Sequence, residues 1–147
     1  MLLDYCTLYL PHAETKDLVA VRRPVPYYHC RSPRLLLMEL SSGPKPCDSR
    51  SDTVSATGDA HLADTDMLGF SLSGSTLLCN FAPSFSDIAK TLKQDQERTL
   101  AYALVNTLCA NEPVRNVCFF QSGSQFDSLL GEIYWAGLFY PIPTQLH

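Results

Sequence analysis

The feature that most constrains this chain is a bracketed helix. Ser32-Pro33 is a start signal, with serine at the N-cap and proline at the first helical position. Gly43-Pro44 is a stop, because glycine takes the left-handed cap and proline cannot continue. Between them Arg34 to Leu40 carries the apolar residues Leu35, Leu36, Leu37, Met38 and Leu40. Everything before this helix has strand character. In Asp4 to Leu10, Tyr5, Thr7 and Tyr9 alternate with Cys6, Leu8 and Leu10, and Leu18 to Val25 is rich in β-branched residues. Pro24 and Pro26 cannot donate to a ladder, which places the end of this second strand at an edge.

Lys45 to Asp66 is polar and rich in Ser, Thr and Asp, and reads as a long loop with at most one irregular strand. A loop of this length is uncommon in a compact domain. It is therefore either a mobile insertion or a stretch whose order local signals do not specify. Met67 to Phe81 reads as a hairpin turning at Ser73-Gly74-Ser75. Gln94 to Ala110 reads as a second helix, with Leu100, Leu104, Thr107 and Leu108 at helical spacing, and Asn111-Glu112-Pro113 ends it. Val114 to Gln121 is a further strand, and the tail from Gly131 is aromatic and punctuated by proline.

The order is β-β-α-β-β-α-β. It predicts an α+β fold in which two helices pack on one face of a mixed sheet of four to five strands. The 147 residues and a 46% hydrophobic share suit one domain over 1–143, with the polar loop at 45–66 and the tail at 131–147.

Charge narrows the function. The net charge is -4 and the densest cationic stretch, Arg22 to Arg34, is interleaved with apolar residues, which argues against nucleic acid. No apolar run approaches the roughly 18 residues a membrane span requires. Met1 to Leu10 has neither a basic nor a sustained apolar region, so it does not read as a signal peptide. Only 18% of residues are charged, which favours contact with another protein.

Catalytic constellations are weak. His29, Cys30, Cys47 and His61 could in number form a Cys2His2 zinc set, but their spacing fits no finger. Asp59, Asp64 and Asp66 lack the closing glutamate of a calcium loop. The six cysteines form no CxxC pair, and Cys79, Cys109 and Cys118 sit in apolar runs as core residues. The expectation is no enzyme activity, no cofactor and no metal. Tyr134, Trp135, Phe139 and Tyr140 either close the core or form an aromatic anchor for a partner.

Several segments resemble the GerM-type sporulation and spore-germination domain, the GerMN domain of bacterial envelope lipoproteins. Thr7-Leu8-Tyr9-Leu10-Pro11 is similar to that family's opening strand, and Leu18 to Arg23 to its second. Met38-Glu39-Leu40-Ser41-Ser42-Gly43-Pro44 resembles its helix end. Ala103 to Leu108 followed by Pro113 to Val117 resembles its helix-to-strand passage, and Gly123 stands at its turn. Pro113-Val114 lacks an intervening glycine, Ser122-Gly123 replaces an Asp-Gly turn, and 45–66 departs from the family pattern.

The resemblance implies a non-catalytic protein-interaction domain of the extracytoplasmic cell envelope. Its implied partners are other envelope or sporulation proteins or further copies of itself, and its membrane attachment is through an anchor absent from this chain. The expected contact surface is the second strand, with Arg22 and Arg23, together with Tyr134, Trp135 and Tyr140 of the tail. Asn106, polar in mid-helix, is expected to bond to a neighbouring strand or loop. The alternative function is binding of a small ligand or cell-wall fragment in a pocket formed by Tyr27, Tyr28 and the aromatic tail.

Overall fold

The computed structural model describes residues 3–143. The final residues of the tail, including His147, lie outside the described residues, as do Met1 and Leu2 at the other end.

Strands β1 (Leu3–Pro11) and β2 (Leu18–Pro26) pair antiparallel, with Leu8 opposite Val21. Alternation sends Cys6, Leu8 and Leu10 inward from β1, and Val19, Val21 and Val25 inward from β2. Helix α1 (Pro33–Ser41) follows a 3-10 turn at Tyr27–Arg31. Its start is as the sequence specifies: the Ser32 hydroxyl accepts from the Leu35 N–H at 3.3 Å. Gly43, at φ 77°, ends it in the left-handed conformation.

A hairpin of β3 (Met67–Ser73) and β4 (Thr76–Phe81) comes next. A 3-10 run over Pro83–Thr91, which local patterning did not suggest, buries Phe85 and Ile88. Helix α2 (Glu97–Asn111) then leads to β5 (Asn116–Gln121), and a short β6 (Leu138–Phe139) is the last strand among the described residues.

The α+β class is the one read from the sequence, and so is the order β-β-α-β-β-α-β, to which the short β6 is added. The strands divide between two sheets: β1-β2, and a mixed sheet ordered β3-β4-β5-β6 in which β4 and β5 run parallel. The division has a side-chain cause. On the side of β1 away from β2, Asn111 donates to the Thr7 carbonyl at 2.7 Å and accepts from the Thr7 N–H at 3.0 Å. Thr107 accepts from the Tyr9 N–H at 3.1 Å. Polar side chains of α2 thus satisfy the backbone groups that a third strand would need.

One hydrophobic cluster runs through both sheets and both helices. Its aromatic part stacks Phe81 on Phe85 with centroids 4.0 Å apart, and sets Trp135 edge-on to Phe119 at 5.1 Å. The 45–66 segment is packed, not a mobile insertion. Ala56, Thr57 and Leu62 are buried, the Thr57 hydroxyl donates to the Ala60 carbonyl at 2.7 Å, and the Leu62 N–H donates to the Ser41 hydroxyl at 2.8 Å. Its only β bridge joins Thr53 to His12. Among the described residues no helix is long and apolar enough to cross a membrane.

Candidate interaction surface

The expected contact surface is split by the fold. Arg23 follows the alternation of Val21 and Val25 onto the inner face of β2 and is 1% exposed. Its guanidinium donates to Asp48 at 2.6 and 2.9 Å, to the Gly43 carbonyl at 2.6 Å, and to the Glu39 carbonyl and carboxylate at 3.0 and 3.2 Å. An arginine placed there ties the end of α1 and the following loop to β2, and its planar fork suits that many acceptors. Burial raises the pKa of Asp48, but the bonds from Arg23 and the Lys45 N–H outweigh it and hold the carboxyl below the usual range. Arg23 therefore cannot meet a partner. Arg22 is exposed, with its guanidinium 4.8 Å from the Tyr5 ring centroid.

Nor is the β2 edge open where it was expected. The Arg22 N–H donates to the Ser49 hydroxyl at 2.9 Å, and its carbonyl accepts from the Ser49 N–H at 2.9 Å. The loop after α1 thus occupies the middle of that edge.

The tail divides likewise. Trp135 is fully buried and donates its indole N–H to Glu97 at 2.6 Å. Glu97, the first residue of α2, is itself fully buried. Its two oxygens also accept the backbone N–H groups of Leu129, Leu130 and Glu132 at 2.8 to 3.0 Å and the Ser128 hydroxyl. Burial pushes the Glu97 pKa up, but these donors prevail and hold it low. Trp135 therefore belongs to the core and to this nest, not to a partner surface. Tyr134 and Tyr140 remain exposed at 65% and 57%.

Sequence reasoning missed the importance of Glu97 and Asp48. A carboxylate at the first position of an apolar helix was the available signal for Glu97. For Arg23 it was the strand period.

The groups with nucleophilic or metal-binding potential are dispersed or held. Burial pushes the Cys6 thiol up to about 12 and Cys109 to about 11, and raises Cys79 further, far from the thiolate form that reacts. His29 lies 2.9 Å from Glu39 and His61 lies 2.9 Å from the Ser41 carbonyl. Asp66 accepts from Ser84 at 2.5 Å, and Asp64 pairs with Arg34 at 3.2 Å. Among the described residues no three metal-binding side chains gather. Tyr27 and Tyr28 stand half exposed, 6.0 Å apart between centroids, and neither lines the cleft beside Pro11 and Lys16 or the one beside Phe70 and Leu72.

The edge that is open belongs to β3. It is an outermost strand of its sheet, at the end opposite the short β6, and carries Leu68 and Leu72, 54% and 62% exposed. Arg34 caps its start by donating to the Met67 carbonyl at 2.7 Å. The turn at Gly74, φ 62°, bounds its other end.

No protein-family profile matches the chain, and no curated protein matches it by sequence. Solved structures do match. The tandem GerMN domains of the sporulation protein GerM from Bacillus subtilis superpose with a TM-score of 0.62 at 18% identity, covering 99% of this chain and 46% of that one. The first GerMN domain of the same protein gives a TM-score of 0.63 at 16% identity, covering 91% of this chain and 94% of that one. A candidate lipoprotein from Clostridium perfringens gives 0.55 at 13% identity, covering 94% and 87%. The chain thus spans less than half of the tandem structure it matches. The chain has the α+β fold of a GerMN domain over most of its length.

Proposed function

We propose that this chain is a non-catalytic protein-interaction domain of a bacterial cell-envelope protein that acts in sporulation or spore germination. The observation that carries the reading is its likeness, over nearly its whole length, to GerMN domains of a sporulation protein. The similarity to a candidate lipoprotein supports an envelope location. The internal chemistry supports a binding role: the most deeply buried ionised groups, Arg23, Asp48 and Glu97, are consumed in holding the fold together. What the domain leaves exposed is a strand edge with apolar side chains. Such edges bind through main-chain hydrogen bonds. The partners in this reading are other envelope or sporulation proteins.

The experiment is deletion of the gene in the organism that encodes it, with complementation by the whole chain. Heat-resistant spores should fall in number while vegetative growth stays unchanged. Wild-type spore counts in the deletion strain would overturn the assignment.

A further inference from the structure

The open edge of β3 has a receptor built beneath it. Ser73 pairs with Thr76 across the two-residue turn, and Ser71 with Leu78. In such a hairpin the pair flanking the turn exchanges both its hydrogen bonds, and so does every second pair after it. Ser73 and Ser71 therefore bond inward to β4. Phe70 and Leu72, at the intervening positions, aim their N–H and C=O groups away from the sheet. Among the described residues nothing bonds to those groups.

A cleft of about 370 Å³ lies alongside, between β3, the start of α1 and the segment after α2. Phe70, Leu72, Leu77, Pro33 and Val114 give it an apolar lining. Glu112, also in its wall, follows directly on α2. Its Oε1 atom is buried and has no hydrogen-bond partner, which is costly for a carboxylate oxygen. Arg31 lines the cleft too, but makes no ion pair with Glu112 among the described residues. Burial pushes the Glu112 pKa up, with Arg31 working against it.

We propose that the β3 edge and this cleft take an extended segment of another protein as an added strand. An apolar side chain of that segment seats against Phe70, Leu72 and Leu77, and a lysine or arginine pairs with Glu112. Three features converge on this occupant. The unpaired N–H and C=O groups of Phe70 and Leu72 call for a strand. The lining calls for an apolar side chain at an alternate position. The orphaned oxygen calls for a cation or other donor. A second copy fits less well, because β3 itself, Met67–Ser73, carries no cationic residue to present to Glu112. The inference rests on the binding reading above and adds the site and the partner chemistry.

The test uses the full chain and synthetic nine-residue peptides of alternating valine and threonine, blocked at both ends. One set carries a single lysine stepped along the sequence, and a matched set carries glutamate instead. Binding is followed by amide chemical shifts. At least one lysine peptide should bind, with shifts centred on Phe70 and Leu72. The matched glutamate peptide should bind roughly tenfold more weakly, as expected when one charge-assisted pair is replaced by a repulsive one. Glu112→Gln should weaken the lysine peptide several-fold and leave the glutamate peptide no weaker. N-methylation of alternate peptide amides, which leaves the protein untouched, should abolish binding in one of its two registers. Absence of binding at millimolar peptide, or shifts centred elsewhere, overturns the proposal. Equal affinity of wild-type and Glu112→Gln overturns its charge component. Concentration-dependent shifts at Phe70 and Leu72 without peptide make a second copy the occupant, and overturn it likewise. Failure here with a sporulation defect in the deletion strain would sink this inference alone. Peptide binding with normal spore counts would sink the assigned biological role alone.

Discussion

Asn106 closes a two-way hydrogen-bonded ring with the backbone of Ile142. Its Nδ2 donates to the Ile142 carbonyl at 2.9 Å, and its Oδ1 accepts from the Ile142 N–H at 3.0 Å. The side chain imitates a neighbouring strand, as Asn111 does for Thr7 on the same helix. A polar residue in the middle of an apolar helix is thereby the clasp that holds the tail, the structural role its position suggested.

Asn106→Leu should therefore free the tail without emptying the core. The expected cost is about 1–3 kcal/mol, because the Ile142 groups lose their partner. Hydrogen exchange should quicken at Ile142 first. Unchanged exchange there, with a loss spread over the whole domain, would mean that Asn106 supports α2 and not the tail.

Reversal of the paired arginines should give two opposite results. Arg22→Glu should shift stability by at most about 1 kcal/mol, since an exposed charge contributes little. Arg23→Glu should prevent folding, because it places a third carboxylate against Asp48 and Glu39. Arg23→Met, which leaves Asp48 buried without its arginine, should cost about 3–5 kcal/mol. Denaturant melts of the three variants decide. A near-neutral Arg23→Met would contradict the network.

Acid should unfold the domain through Glu97 and Asp48. Both carboxyls are held below their ordinary values of 4.5 and 3.8. A depressed folded-state pKa means that the unfolded chain takes up protons first. The stability they contribute is thus complete above about pH 4.5 and is lost as pH falls through the folded-state values. Glu97→Gln should be less stable at neutral pH and should show a shallower loss between pH 5 and 3, a window of roughly one to two units around those values. Parallel curves for wild type and variant would remove Glu97 from this account.

Leu104, fully buried on α2, is the position where the core is most simply tested. Leu104→Ala should cost about 2–5 kcal/mol. A loss below about 0.5 kcal/mol would contradict the burial of this face of α2, since the transfer term alone, which survives any collapse of the cavity, is several times larger.

The sequence by itself determined what depends on a few neighbouring residues. The Ser32-Pro33 start, the Gly43 stop, the alternation of β1 and the turn at Gly74 were all legible. So was the inward position of Arg23, by the period that places Val21 and Val25 inward. Its charge alone suggested exposure, and the period was the better guide. Only the tertiary structure decided how strand edges are satisfied and where the ionised groups find partners. Thr7 meets Asn111 across 104 positions, Arg22 meets Ser49 across 27, and Trp135 meets Glu97 across 38. Caps and periodicity act within a turn or a strand. The backbone groups of an edge and a buried carboxylate bind whatever the folded chain brings to them. That is why the middle of β2 is covered, β3 is open and Trp135 is inside.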